Sequence, residues 1–96
     1  MPFFTVDKKV DNEARDYNYY VPVIASFDAQ GNIRPLYFRH KFENGDTIKV
    51  QIDNVISTKP LSIFGIEFVC SVTVGDVQIQ VVLCYFKDSY RWSLRD

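Results

Sequence analysis

From Val21 onward, apolar and polar positions alternate with a period of two, broken at short intervals by turn residues, and β-branched and aromatic types fill the apolar positions. That texture predicts half-buried strands, whose successive side chains point to opposite faces. Each proposed turn sets a register, and a correct register gathers the apolar side chains of both strands on one face. At Val74-Gly75-Asp76-Val77, a two-residue Gly-Asp loop pairs Val74 with Val77. Val72 then meets Ile79, Cys70 meets Val81, Phe68 meets Leu83 and Ile66 meets Tyr85, all on one apolar face. The reverse face carries Thr73 with Gln78, Ser71 with Gln80, Val69 with Val82, Glu67 with Cys84 and Gly65 with Phe86. It is polar near the turn and apolar farther away.

A two-residue Asn-Gly loop at Asn44-Gly45 would set Arg39 opposite Val50 and mix both faces. A three-residue loop, with Gly45 in the left-handed region as a bulge, instead pairs His40 with Ile48, Phe38 with Val50 and Leu36 with Ile52. Lys41 with Thr47, Arg39 with Lys49, Tyr37 with Gln51 and Pro35 with Asp53 then form the reverse side. Upstream, Asp28-Ala29-Gln30-Gly31 suits a type I turn, and a four-residue loop places Val23 opposite Leu36 and Val21 opposite Phe38. Pro35 calls for a bulge or a local edge in that second strand. Asp88-Ser89 turns the chain so that Tyr85 meets Trp92 and Leu83 meets Leu94, again on the apolar face.

The expected fold is therefore all-β: two three-stranded antiparallel meanders, over 21–54 and 64–94, joined by a connector at 55–62. Six short strands bury their apolar faces by curling into a small barrel or roll of the SH3-like or Sm-like size class. The alternative is an open sheet covered by an N-terminal helix. Residues 1–20 form an arm ahead of the single β domain at 21–96. Its stretch 7–16 is nearly all polar, with Val6, Val10 and Ala14 spaced four apart as a weak helical stripe. The arm is a short surface helix or a mobile segment. Phe3 and Phe4 are too apolar for a free tail and are expected to dock on the domain or on another chain.

Composition narrows the classes. The chain has 96 residues, 47% hydrophobic, 24% charged and 16% aromatic, which is one globular domain able to form a core without metal or disulfide. A net charge of −1 excludes a globally basic or acidic partner surface. With neither an apolar leader nor a run of membrane-spanning length, a cytoplasmic location and no membrane partner are expected. Cys70 and Cys84 are then reduced thiols, set by the register on opposite faces and out of disulfide reach.

The blocks Tyr20-Val21-Pro22-Val23, Phe27-Asp28, Gly31-Asn32-Ile33, Ile52-Asp53-Asn54-Val55 and Tyr90-Arg91-Trp92 resemble a loosely defined family of short uncharacterised bacterial β-domain proteins. The match covers residues 20–94 and omits the arm. Where similar sequences have a Trp-Glu-Asp-Gly turn after the second strand, this one reads Phe42-Glu43-Asn44-Gly45-Asp46. Members are sometimes encoded beside translesion DNA polymerases, so the resemblance implies a DNA-repair setting and brings no catalytic residues.

The reactive side chains do not assemble into a catalytic motif. His40, the one histidine, falls on the core face beside Ile48, and Cys70 lies among Val and Ile, a setting that raises a thiol pKa. Cys and His at 40, 70 and 84 lack zinc-ligand spacing, no Asp-x-Asp-x-Asp ladder suits calcium, and Gly31, Gly45, Gly65 and Gly75 stand singly. The expectation is a non-catalytic domain with no cofactor and no metal. Two surface features remain. Tyr37, Arg39, Lys41 and Lys49 share the outer face of the first meander, with Arg34 at the end of the hairpin. Basic residues interleaved with an aromatic hold single-stranded nucleic acid, although a solvated face reads the same way. Val69, Val82, Cys84 and Phe86 are apolar on a side that ought to be wet, so Phe3, Phe4 and the arm or a second subunit would cover them. The leading expectation is a protein-interaction domain that binds a partner or itself as a homodimer. The competing one is a nucleic-acid-binding accessory protein in DNA repair.

Overall fold

The computed structural model describes residues 20–95, so the arm, Phe3 and Phe4 lie outside the described residues. Six strands follow one another: β1 (Val23–Phe27), β2 (Ile33–Lys41), β3 (Thr47–Ser62), β4 (Gly65–Val74), β5 (Val77–Phe86) and β6 (Arg91–Arg95). They form one antiparallel sheet in sequence order, curled into a half-barrel. Just ahead of β1, Tyr20 bridges Ser93 of β6, and Val21 N donates to the Trp92 carbonyl at 3.0 Å. On the other side, Arg39 N donates to the Pro22 carbonyl at 3.1 Å. Residues 20–22 thus touch both β6 and β2 and draw the two ends of the sheet together.

The concave face holds the core. Phe38, Val50, Phe68, Cys70, Val72, Val81, Leu83 and Leu94 are buried in it, with Val21, Tyr85 and Trp92. Each large aliphatic or aromatic side chain removed from water contributes roughly 1.5–3 kcal/mol. Trp92 also stacks obliquely on Tyr85 and Phe68, with ring centroids 4.9 and 5.5 Å apart. The β4–β5 register matches the expected one at every rung from Val74↔Val77 to Gly65↔Phe86, and Tyr85↔Trp92 and Leu83↔Leu94 pair as expected across β5–β6.

The β2–β3 turn is the three-residue loop with a glycine bulge: Gly45 has φ 96°, its N–H donates to Phe42 O at 2.9 Å, and Phe42 N donates to Asp46 O at 2.8 Å. The β1–β2 turn repeats that geometry, which corrects the four-residue loop. Gly31 (φ 86°) donates to Asp28 O at 2.9 Å, and Asp28 N donates to Asn32 O at 3.0 Å. The Asp28 carboxylate explains it by accepting the N–H groups of Gln30 and Asn32 at 2.9 and 2.8 Å. A bond from the Asn32 side-chain amide at 3.0 Å, followed by these backbone bonds, holds its carboxyl below the usual carboxylate range. Val23 consequently pairs with Phe38, not Leu36, and Val21 pairs with neither.

Two further differences shape the outer surface. Ile24 pairs with Tyr37 but Ala25 pairs with Pro35, so Leu36 is the extra residue of a bulge in β2. Pro35 is buried, Leu36 is exposed, and the expected rungs Leu36 to Ile52 and Pro35 to Asp53 do not form. Proline cannot donate to the ladder, and the bulge accommodates it while keeping Phe38 and His40 on the core face. The stretch 55–62 is the second half of β3 and not a connector. β3 pairs with β2 through Thr47 to Gln51 and then with β4 from Ile52 to Ser62, with register shifts on the way. From Ile56 to Ser62 every side chain is exposed, so the ladder to β4 holds this half and no alternation marks it.

Candidate nucleic-acid interface

Phe38↔Val50 and His40↔Ile48 point inward, so the alternate rungs Tyr37↔Gln51, Arg39↔Lys49 and Lys41↔Thr47 point outward. The structure therefore brings Tyr37, Arg39, Lys41 and Lys49 together as expected. Lys49 Nζ sits 4.4 Å from the Tyr37 ring centroid, and Arg39 Nη1 donates to Thr47 Oγ1 at 3.2 Å. Arg34 is exposed opposite Ser26. The ion pairs among the described residues join Lys59 and Arg95 to Glu67 and leave these four cations out. Of the nearby carboxylates, Glu43 and Asp46 lie in the β2–β3 turn, where Asp46 accepts the Asn44 amide at 3.1 Å, and Asp53 farther along β3 accepts the Thr73 hydroxyl at 2.6 Å. Cross-strand like charges destabilise a sheet by roughly 0.2–1 kcal/mol, and an exposed cation–π contact returns about 0.5–1 kcal/mol.

The second expected patch is less open than its composition suggests. Val69↔Val82, Glu67↔Cys84 and Gly65↔Phe86 lie on the convex side, as the register requires. Val69, Val82 and Phe86 are half-buried, while Cys84 is only 1% exposed. Arg95 Nη2 donates to Cys84 Sγ at 3.2 Å and pairs with Glu67 Oε2 at 3.4 Å, and Lys59 joins the same carboxylate at 3.4 Å. Cys84 therefore offers no free apolar surface. Sequence reasoning missed other exposed apolar residues, Leu61, Ile63 and Phe64 at the β3–β4 tip and Tyr90 in the β5–β6 turn, of which Ile63 and Tyr90 are 80% exposed. The Phe64 carbonyl accepts Lys87 N at 2.7 Å and ties the β3–β4 tip to the β5–β6 turn. The run Leu61-Ser62-Ile63-Phe64 carried the signal, hidden by its reading as the end of a connector and the start of a strand.

Both cysteines are free and buried, and burial pushes the Cys70 thiol up to about 11. His40 is buried edge-on to Phe42, ring centroids 4.8 Å apart. Among the described residues no group of three or more His, Cys, Asp or Glu comes together as metal ligands, and no helix is long and apolar enough to cross a membrane. The chain matches no family model, no curated protein and no solved structure.

Proposed function

We propose that the chain is a non-catalytic interaction domain that binds nucleic acid through the outer face of β1–β3. One observation carries the reading: Arg39 stands directly opposite Lys49, with Lys41 and Arg34 on the same strand as Arg39 and no carboxylate on the rungs from Tyr37↔Gln51 to Lys41↔Thr47, Glu43 and Asp46 being confined to the turn. A like-charged rung is unfavourable for folding, and a polyanion relieves it by taking the place of released counterions. Burial of His40, Cys70 and Cys84 supports a role without chemistry. The DNA-repair setting implied by the sequence resemblance belongs to the same proposal. A labelled oligonucleotide titrated at several salt concentrations tests it. With four cations engaged, log K should fall with log salt at a slope of about −3 for a single strand, and Arg39→Glu with Lys49→Glu should abolish binding. No binding at low salt, or binding indifferent to those changes, removes the reading.

Self-association is a second reading, favoured by the apolar rung Val69↔Val82 with Phe86 on the convex side of β4–β5. A two-fold contact there would be isologous.

A further inference from the structure

We infer that the basic face takes single-stranded nucleic acid specifically, with unpaired bases stacking on a small apolar platform made by Ile24, Leu36 and Tyr37. The inference rests on the nucleic-acid reading and goes beyond it, because phosphate contacts alone would accept any polyanion. The platform comes from the bulge. In a regular ladder Leu36 would face the core with Phe38, but the register slips between Ile24 and Ala25, Pro35 takes the buried position and Leu36 turns out next to Tyr37. Ile24 is the direct partner of Tyr37 on the neighbouring strand. Ile24 and Leu36 are 51% and 36% exposed, on a face whose other members are Arg34, Arg39, Lys49, Ser26 and Gln51. Ile24 lies on the opposite side of its strand from Val23 and Ala25, which pack on the core, so its exposure is not a shortage of core space.

An aromatic and two aliphatic side chains ringed by cations match a strand whose bases are free to splay, with the phosphates at the rim. A duplex keeps its bases stacked inward and presents only phosphates to a sheet face of this kind. Tyr37 is half-buried and Lys49 lies over its ring at 4.4 Å, so a base that stacks on that face displaces the ammonium, which is then free to meet a phosphate. The ligand class is therefore a single-stranded oligonucleotide with accessible bases, and charge complementarity with Arg34, Arg39 and Lys49 selects it over an apolar partner.

Three probes of similar length separate the cases: a labelled oligo-dT, a duplex of mixed sequence and a heparin fragment. Oligo-dT should bind most tightly. Tyr37→Ala should weaken it about five- to hundred-fold with little change in salt slope, leaving the weaker duplex and heparin binding in place. Tyr37→Phe should retain affinity, since the ring and not the hydroxyl is used. Ile24→Ser with Leu36→Ser should weaken oligo-dT binding several-fold, and both positions are exposed, so this variant serves if Tyr37→Ala fails to fold. Equal affinity for all three probes, unchanged by Tyr37→Ala and the double serine variant, overturns the base platform and leaves a general polyanion face. Failure of every probe at low salt overturns the nucleic-acid reading itself.

Discussion

Arg39 and Lys49 are direct partners in the β2–β3 ladder, and only Lys49 has an aromatic ring to lie on. The guanidinium of Arg39 has instead one hydroxyl, that of Thr47, at 3.2 Å. Removing Arg39 thus relieves the repulsion and loses little else. Arg39→Thr, which puts a β-branched residue in a strand, should raise unfolding stability by about 0.2–1 kcal/mol at low salt and less at high salt, while weakening oligonucleotide binding. Urea denaturation at two ionic strengths checks this. A variant less stable than the wild type at low salt means that the rung is not under electrostatic strain.

Tyr90 has φ 61° and is 80% exposed, so it sits in the left-handed region without a burial gain to offset the strain. Tyr90→Gly should stabilise the domain by roughly 0.5–1 kcal/mol, the relief being partly cancelled by the added freedom of glycine in the unfolded chain. A change of that size moves the melting temperature of a domain this small by several degrees. Nucleic-acid affinity should not change, because Tyr90 lies in the β5–β6 turn and not on the β1–β3 face. A lowered melting temperature is the contrary result.

The Cys70 thiol is pushed from 9.0 to about 11 by burial, against an opposing effect of the Arg34 charge. Between those values the unfolded chain has released the proton and the folded chain still holds it. Stability from this group is therefore fully present below pH about 9 and declines as pH rises toward about 11. Cys70→Ala should flatten that part of the stability–pH curve, and an identical slope in the variant rules the assignment out. Thiol titration should find two sulfhydryls after denaturation and no fast one in the native protein, because Cys84 is as buried as Cys70.

Phe86 shares a rung with Gly65 and Arg91 on the convex side and is half-buried. If that side joins two copies, wild type sediments as a dimer at high micromolar concentration and Phe86→Glu as a monomer, since the change sets an unpaired charge in the contact. A monomeric wild type ends the self-association reading.

Local signals in the chain were enough for the six strands, the tight turns at Gly45 and Gly75, the β4–β5 ladder and the four cations of one face. Each depends on near neighbours: a glycine with positive φ, a period-two alternation, a turn that sets a register. Tertiary structure decided the rest. The side chains of 56–62 have no buried face, so nothing in their polarity announces a strand, and only pairing with β4 makes them one. Pro35 pointed to a bulge, but whether Pro35 or Leu36 entered the core depended on where β1 closed its loop, and the Asp28 side chain settled that. The burial of Cys84 beneath Arg95 and Glu67 depends on three strands meeting, and the contacts of residues 20–22 with both β6 and β2 depend on the curl of the whole sheet. Contacts between residues far apart in the chain leave no periodic trace in it, and these are the contacts that determine which apolar residues stay exposed.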